Sequence, residues 1–127
     1  MNREIAPDSI APPAANYAHA VLSHTPRTWL HTSGVVPVAP DGSAPAAIAD
    51  QALVVWDNIA AMLGASGMMP SDIVSVTTYV VEGEELGSVM AARDEALGMH
   101  RAASTLVNVP SLAQPAWKIE IAIVAAH

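Results

Sequence analysis

Apolar positions along the chain follow two different periods. Over residues 46–64, Ile48, Ala52, Val55, Trp56, Ile59 and Leu63 recur at three- and four-residue steps, which places them on one stripe of an α-helix. Gly64 and Gly67 end that helix, and Pro70-Ser71-Asp72 leads into a new element. Residues 73–81 (IVSVTTYVV) are rich in β-branched side chains and partly apolar on both faces, which predicts a central strand. A second helix is expected from Glu82–Glu85 to about His100, with Leu86, Val89, Met90, Arg93 and Leu97 on roughly one stripe. Its opening carboxylates, Glu82, Glu84 and Glu85, suit the positive end of the helix dipole and read first as a solvated helix start.

Four further runs have strand character: residues 17–23, 28–36, 102–109 and 116–125. The first two flank the turn-rich HTPR and predict a hairpin, while Pro7, Pro12 and Pro13 make residues 1–16 an extended arm. Residues 37–45 (PVAPDGSAP) form a break, with Asp41-Gly42 as turn chemistry. The order strand, strand, helix, strand, helix, strand, strand predicts one α+β domain over residues 1–127, with both helices on one face of a mixed sheet. The other face would be bare and would need a partner subunit.

Composition strengthens that last point. Hydrophobic residues make up 52% and charged residues 13%, so little charge is available to solvate the surface, and an oligomer is expected. A net charge of −7 with no cluster of Lys or Arg argues against nucleic acid and against a charged membrane surface. The absence of Cys removes disulfides, thiolate chemistry and Cys-ligated metal. Residues 51–69 are interrupted by Asp57, Asn58 and glycines and do not read as a membrane span, and the proline-rich start shows no export signal. The expected setting is soluble and cytoplasmic.

Few residues stand out chemically. The five histidines show no helical metal spacing; His19 and His31 could meet across the proposed hairpin, but packing roles fit them better, and no metal is expected. Gly34, after Ser33, fits either a bulge or a close backbone approach to a ligand. Tyr17 could hydrogen-bond a ligand or pack with its hydroxyl at a rim. Arg93, on the stripe of the second helix, needs a carboxylate, a carbonyl, an anionic ligand or a route to solvent. Glu120, between Ile119 and Ile121, shares a strand face with Lys118 and Ala122. It reads either as an ion-pair partner or as a carboxylate that holds a water or moves a proton.

Taken together, SGVVPVAPDG, DNIAAMLGASG, SDIVSVTTYVV, ASTLVNV and KIEIAIVA resemble, in order and separation, the Rid family, also called YjgF/YER057c/UK114. The resemblance covers nearly the whole chain. It implies a chorismate-mutase-like α+β fold, a homotrimer, and three clefts between subunits. In the best-known branch these clefts hydrolyse enamines and imines such as 2-aminoacrylate without metal or organic cofactor. There an Arg binds the substrate carboxylate, and a Glu on the final strand positions the attacking water.

Carried over by position, Tyr17, Ser33, Gly34 and Glu120 match cleft residues of that family. The segment usually written R-P-A-R-S-T reads His100-Arg101-Ala102-Ala103-Ser104-Thr105 here, so Ala103 stands where the carboxylate-binding Arg is expected. Val35 replaces a common Gln, Met90 and Arg93 replace an Asn and an aromatic, and the loop at 110–116 is about two residues longer. Loss of a bidentate Arg removes a charge-assisted contact worth on the order of 1.5–3 kcal/mol. Efficient hydrolysis of 2-aminoacrylate is therefore not expected unless Arg101 or Arg93 substitutes. Two readings stay open: a divergent enzyme acting on imines, enamines or related reactive nitrogen compounds, and a trimeric module that binds a small metabolite, such as a carboxylate, without catalysis.

Overall fold

The computed structural model describes all 127 residues. Its elements in chain order are β1 (Asn2–Ile5), β2 (Ala20–Ser23), β3 (Trp29–His31), α1 (Ile48–Ala65), a short 3-10 turn (Pro70–Asp72), β4 (Ile73–Val81), α2 (Gly87–Leu97), β5 (Ala103–Val109) and β6 (Ile119–Ala126). Four strands form the main sheet in the order β3-β6-β4-β5, and β1 with β2 makes a separate two-stranded ribbon. Within the main sheet β4 and β5 are parallel, while β6 runs antiparallel to both β4 and β3. This is the expected α+β arrangement with a mixed sheet.

Burial alternates along the inner strands and shows where the helices sit. Ile119, Ile121, Ile123 and Ala125 of β6, with Val76 and Val80 of β4, enter one core with Val55, Trp56, Ile59 and Leu63 of α1 and Val89, Ala92 and Leu97 of α2. Both helices therefore cover one face. The opposite face carries Glu120, Ala122 and Val124 of β6 beside Tyr79, Thr77 and Ser75 of β4, all half-buried. Gly67, at φ +68°, lets the chain leave α1 as Met68 N–H bonds back to the Leu63 carbonyl at 2.8 Å.

Three expectations are corrected. The segment 17–36 forms no hairpin: β2 pairs with β1, and β3 pairs with β6, nearly a hundred residues away. The arm 1–16 is extended but its start is a strand, because Asn2–Ile5 precedes the first proline and is free to donate to a ladder. Helix α2 begins at Gly87, since Glu82 to Glu84 still follow the turn out of β4, where Glu82 N–H reaches the Val109 carbonyl at 2.9 Å.

Candidate functional site

Glu120 lies opposite Tyr79 in the β4–β6 ladder, on the sheet face turned away from the helices. Its surroundings are built from three directions. Gln51, fully buried in α1, donates to the Pro45 and Ala116 carbonyls at 2.8 and 2.9 Å and accepts from the Lys118 N–H at 2.8 Å. One amide side chain thus pins the loop before α1 to the start of β6, two residues from Glu120. Beside it, Thr32 bonds Ile123 and Val35 bonds Ile121, so Ser33 and Gly34 together oppose Ala122. That is one residue too many for a regular ladder, a bulge of the kind the glycine suggested.

The bulge brings the Gly34 backbone against Glu120. A Cβ at position 34 would collide with Glu120 Oε2 and stand 2.6 Å from its Cδ. Gly34 is present for space, and the bulge and the close approach are the same feature. The expected alternative of an ion pair is absent: Lys118, on the same strand face, pairs instead with Glu84 at 3.2 Å. Glu120 has neither an ion pair nor a side-chain hydrogen bond within the chain. A groove of about 640 Å³ runs past Ser33 and Gly34 to Asn58, Ala61 and Met62 of α1, where Asn58 donates to the Val38 carbonyl at 3.0 Å; Glu120 does not line it.

A second group of candidates gathers at the start of β5. Ala18 bridges to Ala103 alongside the β5 edge, with its N–H on the Ala102 carbonyl at 3.0 Å. Tyr17 is half-buried there, and its hydroxyl accepts the Ala14 N–H at 3.4 Å. Arg101 donates to the Tyr17 carbonyl and lies 3.3 Å from Glu4 of β1. Ala103 and Thr105 pair with Ser75 and Thr77 and so share the open face with Glu120, whereas Ser104 pairs with Val76 and turns toward the helices. With about 4.8 Å between strands and about 3.3 Å per residue, Ala103 is roughly 16 Å from Glu120 across the sheet.

Arg93 belongs to neither group. It is buried in the helix layer, on the other side of the sheet from Glu120, with Nε and Nη2 on the adjacent Asp94 at 3.1 and 3.0 Å. Nor do His19 and His31 meet: His19 bonds the Ala11 carbonyl at 2.7 Å and His31 stacks on Trp29. The acidic run before α2 is structural, because Glu85 accepts the Ser88 N–H at 3.0 Å and caps the helix. The Ser88 hydroxyl and then its N–H hold the Glu85 carboxyl below the usual range. Gln51 and Asn58 are the residues that the sequence reading missed; Gln51 stood on the apolar stripe of α1, where a polar side chain calls for partners.

A family model described as Endoribonuclease L-PSP matches residues 8–127. The chain is a member of the Rid/YjgF family. Among its relatives, the 2-iminobutanoate/2-iminopropanoate deaminase of Escherichia coli K12 is 36% identical over 98 residues, covering 74% of this chain and 76% of the deaminase. A Rid-family protein of Yersinia pestis, YyfB, has a crystal structure that superposes with a TM-score of 0.88 at 28% identity, covering 99% and 98% of the two chains. The crystal structure of Escherichia coli TdcF with bound serine shares the fold at a TM-score of 0.73 and 22% identity, over 98% of each chain. In this Rid-family chain no helix is long and apolar enough to cross a membrane.

Proposed function

We propose that this Rid-family protein binds a small metabolite in a cleft completed between copies of the chain, in a homotrimer, and hydrolyses an imine, enamine or related reactive nitrogen compound there. Glu120 is the catalytic residue, holding the attacking water or moving its proton. Ser33 and Gly34 line the same half of the cleft, while Tyr17, Ala103 and Thr105 belong to the half supplied by a neighbour; Ser104, turned toward the helices, takes no part through its side chain. The single observation that carries the reading is the unpaired Glu120 carboxylate seated against Gly34 on the bare sheet face. The wide separation of the two groups along one chain supports completion by another copy.

Ala103 leaves the neighbour's half without the cation expected for a substrate carboxylate. Arg101, beside Tyr17, is the cation available at that end; Arg93 is committed to Asp94 in the helix layer. Turnover of 2-aminoacrylate is therefore weak, and the preferred substrate carries its charge elsewhere or carries none. The 36% identity to an iminobutanoate/iminopropanoate deaminase favours hydrolysis over a purely binding module.

Ammonia release from freshly generated amino-acid-derived imines tests the proposal. Faster release than the buffer rate, lost on Glu120→Gln, is the expected result, and Ala103→Arg should raise turnover of 2-aminoacrylate by about 10- to 100-fold. No acceleration with any imine, in wild type or Ala103→Arg, would leave the non-catalytic binding module as the function.

A further inference from the structure

We propose that the pocket beneath the β1–β2 ribbon is a binding site for a small carboxylate, with the Arg101 guanidinium as its principal donor and Glu4 as a built-in competitor. The pocket, about 300 Å³, is walled by Asn2, Arg3 and Glu4 of β1 and by Ser71 and Arg101 from the main body. Two of the chain's five basic residues thus meet at one pocket of a protein with a net charge of −7. Positive charge is concentrated where the surface as a whole is acidic.

The Arg101 fork is only half used. Its Nη2 serves both the Tyr17 carbonyl and, at 3.3 Å, one oxygen of Glu4, while its Nε is buried without a partner. A carboxylate that fits such a fork takes two N–H groups; in this same chain a single oxygen of Asp94 accepts both Nε–H and Nη2–H of Arg93. A buried N–H left unpaired is unfavourable, so a better-seated carboxylate than Glu4 gains by completing the pair. The Ser71 hydroxyl makes no hydrogen bond within the chain, and the Asn2 amide spends one N–H on the Ala126 carbonyl at 2.8 Å, leaving its second available. Arg3 alternates with Glu4 along β1, so it stands at the rim and contributes attraction at longer range.

Glu4 gives the site its selectivity. It is tethered by the ribbon at high effective concentration, so a monodentate or weakly held anion does not displace it. The site needs no chemistry at Glu120 and stands whether or not imines are hydrolysed.

Calorimetric titration of the full chain with succinate, and separately with inorganic phosphate, tests the proposal, combined with NMR of the arginine Nε–Hε signals. Succinate should bind and shift the Arg101 signal. Removing the competitor with Glu4→Gln should tighten binding by about 3- to 10-fold, Arg101→Met should weaken it more than about 10-fold, and Arg3→Met about 2-fold. Absence of succinate binding to both wild type and Glu4→Gln, or binding of phosphate alone, overturns the assignment. Should Arg101→Met fail to fold, Glu4→Gln decides: unchanged or weaker binding sinks the proposal.

Discussion

At the β6 end of the sheet Glu120 is located by a buried amide with three hydrogen bonds, a bulge, and a glycine that clears its path. At the β5 end Arg101 is located by one carbonyl and one exposed carboxylate on a two-stranded ribbon, with part of its guanidinium unpartnered. The first arrangement is firmly held because the Gln51 amide at its base is buried and both its nitrogen and its oxygen are hydrogen-bonded. The second can exchange partners, because a half-exposed ion pair contributes little net stability. A proton-moving group tolerates little displacement, whereas a ligand-gathering cation works by releasing one partner for another. The two ends of the sheet thus differ in how firmly they hold their charged side chains.

The contrast can be broken most severely at Gln51. Gln51→Ala leaves the Lys118 N–H and two carbonyls without their partners and should cost about 3–5 kcal/mol, read as a lower urea midpoint at fixed protein concentration. A loss below about 1 kcal/mol would show that water replaces the amide and that the β6 end is not specially held. Gly34→Ala sharpens the contrast on a smaller energy scale. The atoms a new Cβ would strike belong to the flexible end of Glu120, so stability should change by less than about 1 kcal/mol while Glu120-dependent ammonia release falls about 100-fold. Equal losses in both would mean that the glycine serves the backbone instead of the carboxylate.

Much of this was legible in the chain itself. The three- and four-residue spacing of Ile48, Ala52, Val55, Ile59 and Leu63 is a local property and locates α1, and the β-branched run of β4 is equally local. Strand partners are not local: β3 finds its place only against β6, a pairing that no turn signal near Trp29 encodes. The proline-rich arm hid β1, whose four residues precede those prolines and owe their strand state to β2. At the site, the alternation around Glu120 and the glycine after Ser33 marked both as candidates with structural alternatives still open. Their contact depended on a bulge register that only the folded sheet defines. Arg101 was visible as a candidate cation, but its tie to Glu4 spans nearly the whole chain length and carries no sequence signature.

Glu120 and Ala103, roughly 16 Å apart on one chain, are proposed to face one cleft only when copies associate. Light scattering coupled to size exclusion at micromolar concentration tests it most directly. A homotrimer gives a particle of three times the 13.1 kDa chain mass. A particle of a single chain mass, with undiminished ammonia release, would contradict it.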